Sequence, residues 1–398
     1  MSNMPDQKAR LKALDVFRGL TVAGMLLVND PGSWSAIYTP LEHAEWFGWT
    51  PTDLIFPFFL FIVGITTHLS LAARRARGDG DHELVKQILR RGALILFVGL
   101  LMTGFPYHQF YITLPGGLVF DSRTPHLDLA HWRFTGVLQR IALCYTAGAL
   151  LTLRTNVKQQ VAILAVLLFG YWFAMTLIPV PGHGIGALML GVPDGSIAAW
   201  LDRAVLTTNH MWVGSHTWDP EGLLSTIPAI GTVILGDLTG RWIATDRPLP
   251  EKLNAMFTAG ALAMMTGLMW HWSFPIAKNI WTSSYVLFTA GMAALSIAAC
   301  MWLIDVQKIT WWTKPWIIYG TNPLFAFVAS GFLGRLLYTL IRVPSKDGLI
   351  PLQAWIFNTA FAPWLDPKDA SLAFAICWVL LFMAVLSWMY RKHIVIKL

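Results

Sequence analysis

Residues 52–73 read TDLIFPFFLFIVGITTHLSLAA, an apolar run whose acidic and imidazole side chains are confined to Asp53 and His68. A membrane-spanning helix needs roughly 20 consecutive, mostly apolar residues, and a helix hydrophobic all round belongs in a core or a bilayer. Comparable runs recur along most of the chain, near 15–30, 88–104, 134–153, 160–178, 223–240, 253–272, 281–304, 315–340 and 370–390. With 55% hydrophobic and only 13% charged residues in 398, the composition is that of a membrane protein. Twenty tryptophans suit the two membrane–water interfaces. The expected architecture is an all-α integral membrane protein of about ten transmembrane helices. It forms one transmembrane domain over 1–398, with long outer-face loops at 31–51, 105–133 and 179–222.

Lys and Arg set the orientation, because they accumulate in cytoplasmic loops. With the N-terminus inside, nineteen of the 29 basic residues fall in inner segments, seven in outer loops and three, Arg18, Arg140 and Arg335, within spans. This expectation, N-in and C-in, places His43, His108, His126, His131, His183, His210, His216 and His271 at or near the outer face.

Several function classes are disfavoured. The net charge of +7 comes without a basic run interleaved with aromatics, which argues against nucleic acid. Cys144, Cys300 and Cys377 each lie inside an apolar run with no metal-type spacing, so neither a disulfide framework nor a metal is expected. The absence of a GxxxxGK[ST] motif argues against an ATP-driven pump. No small-residue cleavage site follows the first apolar run, which therefore reads as a retained span.

Five constellations carry polar chemistry. Asp15 and Arg18 share a helix face at the inner mouth of the first span, either as a mutually neutralising pair or as an arginine facing a cytoplasmic anion. Asn29 and Asp30 end that span before Pro31-Gly32, and Glu42, His43, Glu45 and Asp53 follow. An imidazole beside carboxylates at a membrane boundary suits proton transfer or a transient acyl carrier. Gln139 and Arg140 enter the fourth span, where a buried arginine implies a partner or a polar cavity. Asp219 and Glu221 open the sixth span and suit a cationic or hydroxyl-rich acceptor, or a helix cap. Asn322-Pro323 interrupts the ninth, where Asn322 either satisfies freed backbone groups or lines a cavity.

The segments LDVFRGLTVAGMLLVN (14–29), HAEWFGWTPTDLIFPFFLFIVG (43–64), RFTGVLQR (133–140), WDPEG (218–222) and KNIWTSSYV (278–286), kept in order, resemble the transmembrane acetyltransferase family of heparan-α-glucosaminide N-acetyltransferase and its bacterial relatives. The resemblance implies transfer of an acetyl group from cytosolic acetyl-CoA to the amine of glucosamine or a related amino sugar at the outer face. It implies His43 as the active-site histidine, flanked by Asn29 and Asp53. On this reading Arg18, Gln139, Arg140, Asn322 and Arg90 serve the donor, and Asp219, Glu221 and Glu42 hold the sugar. The N-terminal extension of the family's animal members is missing, which fits ten spans and a bacterial cytoplasmic membrane. A homodimer in contact with membrane lipid is the expected assembly. Two competing readings are a secondary transporter of amino sugars and an O-acyltransferase of periplasmic glycans.

Overall fold

A computed structural model describes residues 11–105, 110–114, 117–120, 129–346 and 348–396. His108 and His126 lie outside the described residues. The helices are α1 (Lys12–Asn29), α2 (Ile55–Arg75, entered through a 3-10 turn Pro51–Leu54), α3 (Asp81–Gly104), α4 (Val137–Arg154), α5 (Val157–Leu177), α6 (Gly186–Met189), α7 (Ile197–Leu206), α8 (Thr226–Ile243), α9 (Leu249–Trp270), α10 (Ser283–Met301), α11 (Thr313–Thr321), α12 (Pro323–Arg335), α13 (Leu352–Ala360) and α14 (Pro367–Arg391). The connections between helices also carry β-structure that the all-α expectation left out. One sheet has the order β2 (Gly117–Phe120), β1 (Phe110–Thr113), β5 (Ile341–Ser345), β6 (Gly348–Pro351), and β3 (Pro179–Val180) pairs with β4 (Gly184–Ile185).

Among the described residues six segments are long and apolar enough to cross a membrane: Pro51–Arg75, Val157–Leu177, Leu249–Trp270, Ser283–Val306, Pro323–Leu340 and Pro367–Arg391. The other apolar runs fall on α1, α3, α4 and α8, whose charges dilute their hydropathy: Asp15 and Arg18, Arg90 and Arg91, Arg140, and Asp237 and Arg241. The run at 315–340 is broken at Asn322, where the backbone leaves helical geometry (φ −128°, ψ 55°), so that α11 and α12 are separate helices.

Two ends of the helix layer can be told apart. The first turn of α1 shares one apolar cluster with Ile243 at the end of α8, Leu253 at the start of α9 and Ile304 beyond α10. Arg75 at the end of α2 donates to Leu153 O at the end of α4 (2.9 Å) and pairs with Asp81 at the start of α3 (2.9 Å). At the opposite end, Thr103 of α3 donates to Arg133 O just before α4 (2.9 Å), and Tyr285 of α10 donates to Asp53 O just before α2 (2.5 Å).

Helix contacts are close because small residues face backbone. A Cβ on Gly64 of α2 would lie 2.2 Å from Val233 O, and one on Gly236 of α8 would lie 2.1 Å from Phe61 O. Such small-residue faces replace the hydrophobic driving force that lipid cannot supply between helices. Deeper along the same pair, Asp237 accepts from Thr152 Oγ1 (3.0 Å) and Arg241 Nε (2.8 Å) and meets His68 Nδ1 at 3.2 Å, so the intramembrane charge is partnered.

Gly64→Val should therefore destabilise the protein by at least about 2 kcal/mol, because a backbone carbonyl cannot yield to the new side chain. Gly170→Ala in α5, where a Cβ meets nothing within 4 Å, should be neutral or stabilising. Thermal unfolding of both variants in the same detergent checks the contrast.

Candidate active site

The turn Thr50-Pro51-Thr52-Asp53 positions the central carboxylate. Pro51 starts a 3-10 turn, and Asp53 closes a capping box with Thr50 that buries its side chain to 1% exposure. Oδ2 accepts from the N–H groups of Thr50 and Ala44, both at 3.0 Å, and from Thr50 Oγ1 at 3.2 Å. Thr50 Oγ1 also reaches Glu42 O at 2.6 Å. Asp53 thus folds the 42–50 loop back onto the start of α2, leaving Oδ1 to face His43.

His43 Nδ1 lies 2.7 Å from Asp53 Oδ1, and the imidazole remains 47% exposed. A carboxylate on Nδ1 draws the ring proton to that nitrogen and leaves the lone pair on Nε2, the tautomer that a base or nucleophile needs. A third group completes the centre. Lys278 Nζ lies 2.9 Å from His43 Nδ1, 3.1 Å from Nε2 and 3.5 Å from Asp53 Oδ1. Burial pushes the Lys278 ammonium below its ordinary value, against the upward pull of Asp53 and Glu221.

Lys278 is held by the turn before α10. Thr282 Oγ1 accepts from Ala277 N–H (3.1 Å) and caps α10, Trp281 N–H donates to Lys278 O (3.0 Å), and Trp281 adopts a φ of 49°. The turn is stitched to the histidine loop by Gly48 N–H on Ile276 O (2.8 Å) and by Asn279 Nδ2 on Glu45 O (3.2 Å). Sequence reasoning gave Lys278 no role. The available signal was its position as the basic residue of the short 271–282 connection between two apolar helices.

The other expected site residues are distributed as follows. Glu42 is exposed beside His43. Arg140 is 1% exposed in the first turn of α4, with Nη2 donating to Gly222 O (3.1 Å) and to Ser225 Oγ and its guanidinium over the Trp281 ring at 5.1 Å. Its Nε and Nη1 have no hydrogen-bond partner among the described residues. Gln139 turns toward Thr103 of α3 at 3.4 Å. Arg18 pairs with Asp15 at 2.6 Å at the opposite end of the layer, where the 18-residue α8 alone is about 27 Å long. Arg18 and Arg140 therefore do not grip one phosphate cluster. Arg90 lies on the exposed side of α3, in the half nearer Arg18.

Three of the expected residues have surroundings of their own. Asp219 does not present a free carboxylate to a sugar: Arg133 Nε (2.9 Å) and Nη2 (2.7 Å), Thr135 Oγ1 (2.6 Å), Trp212 N–H (2.8 Å) and Glu221 N–H (2.9 Å) occupy both oxygens. Despite its burial, these donors hold the carboxyl below its ordinary value. Arg133 also holds Glu221 Oε2 at 2.7 Å, and Glu221 stays close enough to act on Lys278. Asn322 spends its amide on the chain's own tail, donating to Ile394 O (2.9 Å) and accepting from Ile396 N–H (2.8 Å). Asn29, third, lines a cavity with Asp30 whose wall does not include His43.

Fold and site together define a multi-pass membrane protein with a histidine, carboxylate and lysine centre at one end of its helix layer. The chain belongs to the family described as heparan-alpha-glucosaminide N-acetyltransferase, catalytic, whose model matches residues 10–268. It is 28% identical to heparan-alpha-glucosaminide N-acetyltransferase of Homo sapiens over 80% of this chain and 52% of the human protein. It is likewise 28% identical to the Mus musculus protein of that name, over 80% of this chain and 53% of the mouse protein. The chain thus spans about half the length of the curated relatives it matches.

Asp202 lies behind this centre on α7 and accepts from Leu223 N–H at 2.9 Å. Burial, aided by nearby Asp219, raises it from 3.8 to about 6 against that hydrogen bond. A raised carboxyl penalises the folded state once ionised, so the penalty is absent below pH 4, grows as pH rises through 6 and is constant above it. Asp202→Asn should therefore stabilise the protein relative to wild type by up to about 3 kcal/mol at pH 8 and about half that at pH 5. Melting curves of both proteins at the two pH values check the sign.

Proposed function

We propose that this protein is a membrane-embedded acetyltransferase that moves an acetyl group from acetyl-CoA to the amine of glucosamine or a related amino sugar. The observation that carries the reading is the His43–Asp53–Lys278 cluster, in a chain whose family model bears that activity's name. The helices cross a bacterial cytoplasmic membrane ten times with both termini inside, a reading supported by the excess of Lys and Arg in the segments so placed. The His43 end then faces outward, and the donor arrives from the opposite side.

The chemistry follows from the imidazole and its carboxylate partner. The acceptor amine is protonated at neutral pH and attacks only after losing a proton, which Nε2 of His43 accepts while Asp53 steadies the positive ring. The amine nitrogen then bonds the thioester carbonyl carbon and gives up its second proton to water, the carbon–sulfur bond breaks, and the thiolate leaves as CoA. The proton held on Nε2 is released to that thiolate or to water. The buried Arg140 has two unpaired donors, suited to negative charge gathering on a carbonyl oxygen nearby. Lys278, in contact with both ring nitrogens of His43 and beside Asp53, holds the imidazole in place.

Purified protein given acetyl-CoA and glucosamine should release CoA and yield N-acetylglucosamine. His43→Ala should reduce the rate by at least about 100-fold with acetyl-CoA binding intact; an active His43→Ala protein removes the assignment. Trapping an acetylated His43 without acceptor would replace direct attack with a two-step route. Lys278→Met should lower kcat/KM for acetyl transfer several-fold, since it removes the group that contacts both ring nitrogens of His43 and lies beside Asp53. Lys278→Arg should restore the rate in part.

A further inference from the structure

A cavity of about 350 Å³ opens where α1, α3 and α12 end, on the same end of the layer as His43. Its polar wall is built from Asn29, Asp30, Ser330 and Tyr338, and Trp34 and Phe327 supply ring surface. Asp30 is 7% exposed. Its Oδ2 accepts from Ser330 Oγ at 2.9 Å, and Trp378 Nε1 donates to that same hydroxyl at 2.8 Å, so the hydroxyl proton is committed to the carboxylate. Oδ1 accepts no hydrogen bond and no cation pairs with Asp30 among the described residues.

The neighbours do not supply what is missing. Tyr338 spends its proton on Pro31 O at 2.8 Å. Arg335, also in the wall, directs its guanidinium to the carbonyls of Met102 and Phe105. A carboxylate oxygen that opens into a cavity with no protein donor leaves its lone pairs for a ligand. The complementary ligand brings its own donor, and a positive one is bound most strongly. The cavity is far larger than an ion requires and falls in the range of small-molecule sites. Trp34, 62% exposed at its edge, offers a ring face that attracts a ligand cation.

We propose that this cavity binds a small hydroxylated ammonium compound of amino-sugar size, with Asp30 Oδ1 as its counter-ion and Ser330 fixing the carboxylate. The amide of Asn29 and the Tyr338 phenol oxygen meet the hydroxyl groups. This deepens the function proposed above by assigning the selection of an amine, and rests on that reading only for the choice of glucosamine as probe.

The test is titration calorimetry of the full chain in detergent with glucosamine, glucose and N-acetylglucosamine, run beside CoA release. Wild type should bind glucosamine at least about tenfold more tightly than the two uncharged sugars. Asp30→Asn should erase that preference and raise the KM for glucosamine, while His43→Ala should retain it. Ser330→Ala, which leaves the carboxylate in place, should weaken glucosamine several-fold and serves as the test if Asp30→Asn does not fold. Equal binding of glucose by wild type overturns the proposal, as does undiminished glucosamine preference in either cavity variant. Asp30-dependent binding without CoA release would overturn the transferase reading and leave this site standing. CoA release with an Asp30-independent KM and affinity would do the reverse.

Discussion

The carboxylate of Asp53 is the constraint on which the His43 end of the molecule depends. A carboxylate at 1% exposure is tolerable only if its lone pairs are used, and here the partners come from three directions. Thr50 and Ala44 supply backbone N–H groups, His43 supplies an imidazole, and Lys278 supplies charge from 225 residues further along the chain (278 − 53). The same hydrogen bonds that make burial possible shape the 42–50 loop, start α2 and orient the ring. Structure and chemistry therefore cannot be separated at this residue: a substitution that leaves the loop intact still changes which ring nitrogen holds the proton.

Around that carboxylate, charges of opposite sign are arranged in alternation. Lys278 stands between Asp53 and Glu221, Glu221 is shared with Arg133, and Arg133 is locked to Asp219. Each acidic group that faces a cation is satisfied by it, and the group with no cation bonded to it, Asp202, is pushed upward instead. The arrangement places a lysine and a histidine in contact beside one buried carboxylate.

Much of this was legible in the sequence, for physical reasons that differ by element. The long helices follow from the apolar runs, and the break at Asn322-Pro323 follows from the missing N–H of proline. The pairing of His43 with Asp53 was legible because a ten-residue separation, closed by Thr50-Pro51, leaves few ways to fold the loop. Lys278 was not, because 235 residues separate it from His43 and a lone lysine between apolar helices has no local partner to announce it. Asp219 and Asn322 show the opposite failure: a polar residue in an apolar context signals that it matters without revealing whether its partners come from the chain or from a ligand. Arg18 and Arg140 were grouped by residue type, whereas the antiparallel course of the helices places them at opposite ends.

The loop joining α1 to α2 ties the cavity at Asp30 to the imidazole at His43. Its path is pinned throughout: Tyr338 holds Pro31 O, Gln353 holds Gly32 O at 2.7 Å, Ser371 holds Ser33 N–H at 3.0 Å, Asp369 holds the Tyr38 hydroxyl at 2.5 Å, and Thr52 Oγ1 holds Pro40 O at 3.3 Å. A loop fixed at this many points by α13, α14 and the segment after α12 loses little further entropy when a ligand arrives. It also fixes the separation between the unpaired carboxylate oxygen and the imidazole. The residues that would choose an amine and those that would deprotonate it are thus carried on one rigid segment of twenty-five residues (29–53). A change in its anchoring helices would be felt at both places together.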